Sequence, residues 1–232
     1  MLILSLETST HVCSVALHRA GNLLACVEIL IDKSHAEKIT LLIEEVCIKA
    51  EVSLANIDAI AISKGPGSYT GLRIASSTAK GLCFALGKPF IAIDTLQSIA
   101  LQVVKLENLD LQLVDNVAIV PMIDARRMEV FTANYDAHAI RISDFDAKII
   151  DENSYRELLE TKKLIFCGNG ADKCQTTILH PNAKFIDGIY PKATFIGYLA
   201  TKKYLKNDFE DVVNFEPFYL KEFYMKTAMP PV

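Results

Sequence analysis

Spaced cysteine pairs, long apolar runs and a surplus of basic charge are all missing from this chain of 232 residues. Its six cysteines (Cys13, Cys26, Cys47, Cys83, Cys167 and Cys174) form no C-x-x-C pair and no zinc-type spacing. That pattern excludes a zinc module and a thioredoxin-like redox pair. Several of them fall on apolar stripes, where cysteine acts as a small hydrophobe. No apolar run approaches the roughly 20 residues that span a bilayer, and the start carries no basic segment ahead of an apolar block. A reduced, cytoplasmic protein without membrane contact is expected. The formal net charge is −4. A chain that grips nucleic acid alone carries a basic field for the phosphates, so any such contact is expected to be local or supplied by partners. Lys202, Lys203 and Lys206 read as a solvated helix face. There is no Gly-x-Ser-x-Gly nucleophile elbow, and the five histidines (His11, His18, His35, His138 and His180) include no pair four residues apart.

What is present is enough apolar material, 51% of residues, to build real cores. Runs of strand character at 2–7, 12–18 and 23–30, separated by short polar turns, predict an antiparallel meander. A helix is expected over 35–50, with Ser34 and Glu37 as a capping box, then a strand from 57, a helix from 72 to 86 and a strand over 90–94. The second half repeats this order. Strands are expected at 117–123, 129–135 and, less regularly, 140–150. A helix over 154–161, a strand at 164–167, a helix over 171–179, a short strand at 183–186 and a helix over 193–206 follow. Residues 101–116 read as the link between two β-β-β-α-β-α-β halves.

The most informative stretch joins the strand at 57–62 to the helix that follows. Gly65, Pro66 and Gly67 make a turn that glycine and proline favour, and Ser68, Thr70 and Gly71 lead into a stripe of Leu72, Ala75, Ala79, Leu82 and Leu86. A glycine-rich turn feeding a helix N-terminus suits a phosphate; a tight connection with no ligand has the same appearance. His35 shares a face with Ile39, Leu42 and Val46, the pattern of a partly buried histidine hydrogen-bonded near a helix start. Two helices are apolar on a second side as well. Leu41 and Ile48 oppose the main stripe of the first, and Ile74, Thr78, Gly81 and Ala85 form a small-residue stripe on the other. Such a face is buried within its own domain or against a partner.

The words GPGSYTGLR and AKGL, the opening LETST at 6–10, SHAE at 34–37, IDARRMEV at 123–130, GNGA at 168–171 and EPFYL at 216–220 together resemble the TsaB (YeaZ) family from end to end. The resemblance implies an α/β fold of the actin-like ATPase and sugar-kinase superfold, built from two ribonuclease H-like domains. The first would hold residues 1–101 plus about 192–210, the second 102–191, with 211–232 as a C-terminal tail. It also implies a non-catalytic partner of the paralogous enzyme TsaD, which transfers a threonylcarbamoyl group to N6 of adenosine 37 in tRNAs reading codons that begin with A. The paralogue's metal-binding His-x-x-x-His pair would correspond here to Thr95 and Ile99, which cannot replace two imidazoles, so no catalytic residue and no metal ligand is expected.

By the same resemblance, a nucleotide would meet Glu7, Thr8, Ser9 and Thr10, Asp124 and Arg126, and Gly168, Asn169 and Gly170. No cofactor is required, and weak ATP or ADP with magnesium is left open. Turn formation and surface ion pairing account for the same residues without a ligand. Leu41, Ile48, Ile74, Thr78, Gly81 and Ala85 would line the interface with a TsaD-type enzyme or with a second copy. A TsaE-type ATPase would bind the pair, and tRNA would be met only through the complex. A small ATPase or kinase working in its own interdomain cleft, and a self-associating regulatory homodimer, are the competing functions.

Overall fold

The computed structural model describes residues 1–30, 35–107 and 116–221; Ser34, half of the expected capping box, lies outside them. Two five-stranded sheets share one plan. The first contains β1 (Leu2–Glu7), β2 (Val12–Arg19), β3 (Asn22–Leu30), β4 (Ala59–Gly65) and β5 (Phe90–Asp94), in the order β3-β2-β1-β4-β5. The second contains β6 (Val117–Asp124), β7 (Glu129–Thr132), β8 (Asp146–Ile149), β9 (Lys163–Cys167) and β10 (Ala183–Ile186), in the order β10-β9-β6-β7-β8. In each, the first strand pairs antiparallel with the second and parallel with the fourth.

Because side chains alternate across a strand, β1 feeds two cores. Leu4 and Leu6 join Ile60, Ile62, Ile39, Val46, Ala75 and Cys83 on the outer face, beneath α1 (His35–Lys49) and α2 (Tyr69–Leu86). Ile3 turns inward and joins Ile91, Ile93, Ile119 and Ile165 around α3 (Thr95–Leu106) and α5 (Ala193–Leu205). A third cluster, with Val120, Met122, Phe166 and Leu159 of α4 (Arg156–Thr161), covers the far face of the second sheet. Each such buried aliphatic side chain contributes about 1.5–3 kcal/mol relative to exposure. α5 packs on β1, β2, β4 and β5. It lies so close that a Cβ at Gly197 would sit 2.1 Å from Nδ1 of buried His18. Burial holds that imidazole's pKa down at about 4.

Three expectations need correction. Residues 101–106 are not a link but the last turns of α3, whose Leu96, Ile99, Ala100, Leu101 and Val103 are all buried; a helix sandwiched between layers has no polar face to mark it. The boundary at 101 therefore falls inside a helix, and 108–115 lie outside the described residues. Strand β7 stops at Thr132 rather than Tyr135, because Asn134 N–H turns to Ser143 Oγ (2.8 Å) and Asp136 Oδ1 accepts from the amides of His138 and Ile140. The helix expected over 171–179 is one 3-10 turn, Asp172–Cys174. The described part of the C-terminal tail, residues 211–221, is packed, with Phe218 N–H donating to Lys64 O and Lys221 paired with Glu129. Among the described residues no helix is long and apolar enough to cross a membrane.

Candidate functional site

The glycine-rich turn after β4 is filled by protein. Ser68 caps α2, its Oγ accepting from Gly71 N–H, and Ser68 N–H donates to Ser9 O at 2.7 Å. Thr8 Oγ1 donates to Gly71 O at 2.7 Å. A Cβ on Gly67 would lie 2.7 Å from Ser9 O, and one on Gly71 only 2.0 Å from Thr8 O. The glycines are therefore explained by two backbones in contact, the signature turn lying directly on residues 8–10. Thr70 is exposed on the first turn of α2. Gly65, at φ +120°, precedes a cis peptide to Pro66. His35 donates from Nε2 to Thr10 O at 2.8 Å and is buried, as its position at the helix start suggested.

Glu7, Thr8, Ser9 and Thr10 are all buried under this turn. Glu7 Oε1 accepts from Ser9 N–H at 2.6 Å, while Oε2 is buried with no protein partner. Burial pushes the Glu7 pKa up from its ordinary 4.5, and the nearby Ser9 and Ser63 groups temper that shift without cancelling it. The sign follows from linkage. The unfolded carboxyl ionises first as pH rises, so stability is full below 4.5 and is lost as pH climbs through the raised folded value. Glu7→Gln should abolish this slope and raise stability at pH 8, where the parent's buried carboxylate is most costly. Urea unfolding at pH 5 and pH 8 reads it. A Gln variant no more stable than the parent at pH 8 would count against a strained buried carboxylate.

The second half's turns meet each other. Gly168 (φ +96°) and Gly170 lie against the backbone of 122–124, where a Cβ would come within 2.4 and 2.8 Å of Met122 O and Ile123 C. Asn169 Oδ1 accepts from Asp124 N–H at 3.4 Å, and Asp124 Oδ1 accepts from Arg126 N–H at 3.0 Å. Lys173 Nζ binds the same carboxylate and also Glu129 O at 2.6 Å. Lys173 and Glu129 are not among the sequence candidates, since Asp124 and Lys173 lie 49 positions apart and meet only in the fold. Between the signature turn and residues 8–9 there is no room for a methyl group, and the Asp124 carboxylate is paired with Lys173. Among the described residues no three His, Cys, Asp or Glu side chains are grouped to hold a metal. Thr95 and Ile99 are fully buried on α3.

The outer helices offer the other candidate. Leu41 and Ile48 on α1 are 54% and 68% exposed. Gly81 and Ala85 on α2 are exposed, and Ile74 and Thr78 are half-buried. Between the helices runs an apolar groove of about 530 Å³, with Ile43, Cys47, Ile48, Val52, Thr78 and Leu82 among its walls. Phe84, one turn beyond Gly81 on α2, is 89% exposed and extends the apolar surface. Wide apolar exposure of this kind marks interaction surfaces.

The comparisons with known proteins agree on one relationship. The family model described as "TsaD: tRNA N6-adenosine threonylcarbamoyltransferase" matches residues 29–228. A Haemophilus influenzae protein called tRNA threonylcarbamoyladenosine biosynthesis protein TsaB is 30% identical over 232 residues, covering 95% of this chain and 94% of its own. A tRNA N6-adenosine threonylcarbamoyltransferase of Bartonella bacilliformis is 46% identical over 72 residues, 31% of this chain and 20% of its own. The structure of YeaZ from Pseudomonas aeruginosa superposes with a TM-score of 0.79 at 26% identity, covering 94% of this chain and 99% of that one. The likeness to TsaB and YeaZ proteins runs the length of both chains while the likeness to the transferase of Bartonella bacilliformis is partial, and the chain belongs to the TsaB (YeaZ) family, paralogous to TsaD.

Proposed function

We propose that this chain docks a TsaD-type enzyme through α1 and α2 and holds it in a working arrangement, without doing chemistry itself. It is a non-catalytic partner that assists TsaD in forming N6-threonylcarbamoyladenosine in tRNA. The observation that carries the reading is family membership over the full length, joined to an α3 whose Thr95 and Ile99 stand, buried, where the resemblance puts the enzyme's metal-binding histidines. Position 37 of tRNAs reading codons that begin with A is the proposed target.

The identical strand order of the two sheets supports the actin-like superfold with two ribonuclease H-like units. The first is closed by α5 and drawn to the end of α3 rather than to residue 101. Leu41, Ile48, Ile74, Thr78, Gly81 and Ala85, with Phe84 added, are the proposed interface. A TsaE-type ATPase is proposed to join the pair, and tRNA to be met through the complex. Weak ATP or ADP binding is confined in this reading to the Asp124 and Asn169 turns, since residues 7–10 are covered.

A drop-out reconstitution tests the role. It combines tRNA, threonine, bicarbonate, ATP and the other synthesis proteins, with and without this chain, and quantifies the modified adenosine. Product should be lost without the chain, and the chain alone should make none. Equal product in its absence would overturn the proposal.

A further inference from the structure

Residues 210–221 cross from the first sheet to the second over the signature turn. At one end Glu210 N–H donates to Phe90 O at 2.8 Å, and the Phe215 ring meets Phe90 edge-on at 4.8 Å. Lys80 of α2 donates to Val213 O at 3.1 Å. In the middle Phe218 N–H donates to Lys64 O at 2.7 Å, and Phe218 O lies where a Cβ on Gly65 would be only 2.3 Å away. Tyr219 stacks on Tyr69 at 4.5 Å and accepts from Arg73 Nε at 3.2 Å, while the Arg73 guanidinium lies 4.2 Å over the Tyr69 ring. The far end belongs to the other sheet. The Phe218 ring lies 5.1 Å from Phe145, just before β8, and Lys221 pairs with Glu129 of β7 at 2.6 Å.

We propose that residues 210–221 are a clasp that couples the second sheet to the signature turn and the first turn of α2. A shift of the second sheet then reaches the helix proposed above to dock the enzyme; only that last consequence rests on the docking reading.

The contacts differ in kind along the strap, and this difference carries the coupling. Against Gly65 it is backbone on backbone, too close to slide, so the turn must follow the strap. Against the second sheet it is a ring pair and one ion pair, contacts of about 0.5–1.5 and 0–1 kcal/mol, which can yield and reform. An open cleft of about 540 Å³ beside it, lined by Lys64, Phe145, Phe215 and Phe218, leaves room for such movement. Because residues 67–71 lie on residues 8–9, the same displacement would load the β1–β2 turn.

Amide hydrogen exchange on the full isolated chain tests this. Tyr219→Ala frees the strap from the first turn of α2, leaving the Lys80–Val213 contact in place, and Phe145→Ala loosens it from the second sheet without touching the first. Tyr219→Ala should speed exchange of residues 64–73 at least fivefold. Phe145→Ala should speed the same amides at least threefold, with residues 39–47 of α1 at the parent rate. Acceleration confined to the neighbourhood of 145 and 218 would overturn the clasp. So would unchanged 64–73 amides in Tyr219→Ala, or equal acceleration in α1, which would mark global loosening. No enzyme partner enters the measurement, so failure of the docking reading leaves it standing and failure of the clasp leaves docking standing.

Discussion

Thr78→Arg and Ala85→Arg should each abolish binding to the TsaD-type enzyme, weakening it more than a hundredfold, while the circular dichroism melt stays within about 2 °C of the parent. Neither position supports the fold. Ala85 is exposed, and Thr78 opens on the groove rather than on the core. An arginine at 85 has solvent to face while the chain is alone, and one at 78 has solvent or the groove residue Glu44. Once a partner helix closes the face, the guanidinium at 78 is desolvated against groove residues such as Ile43 and Leu82, and the one at 85 against the partner, with no dedicated counter-charge. An unpaired charge buried in this way costs about 3–5 kcal/mol, and every 1.4 kcal/mol is tenfold in affinity. Calorimetric titration with the enzyme reads the loss, and size-exclusion chromatography of the variant alone reads any self-association through the same face. Two variants that bind as the parent does would remove α1 and α2 from the interface. A variant that loses binding only by melting early would show that the face belongs to the core.

Gly71→Ala should cost about 4 kcal/mol or more of stability, and the variant is expected to express poorly. The added Cβ would stand 2.0 Å from Thr8 O. Neither side can give, since both atoms belong to backbone held by its own bonds: Thr8 Oγ1 to Gly71 O, and Ser68 N–H to Ser9 O. Gly81→Ala, ten residues along the same helix, is the internal comparison. Nothing lies within 4 Å of its added Cβ, so the helix should gain about 0.5–1 kcal/mol from the removal of a flexible residue. Urea titration of the pair separates a packing requirement from a conformational one, because Gly71 and Gly81 are both helical. Gly71→Ala within 1 kcal/mol of the parent would show that the two turns do not bear on each other as closely as their geometry indicates.

How far the fold could be read ahead of the structure follows from where polar contrast survives. The meander at 2–30 has strong strand runs with turn residues between, and its three strands fall where the pattern placed them. α1 keeps charges on one side, so its bounds were readable to a residue. α3 has no such side; with both faces buried, Leu101 to Leu106 looked like the start of a leucine-rich link. At the candidate site the pieces were legible and their assembly was not. Thr8 to Thr10 and Gly65 to Gly71 were both recognisable turns, yet only the parallel pairing of β1 with β4 sets one on top of the other.

By itself, then, the sequence determined the alternation of strands and helices, the duplicated order and the family, because each is written in spacing along the chain. The tertiary structure alone decided which turns are closed, that Lys173 neutralises Asp124, and that residues 210–221 bridge the two sheets. Those outcomes depend on residues 49 to 146 positions apart meeting in space, and local pattern carries no record of such distances.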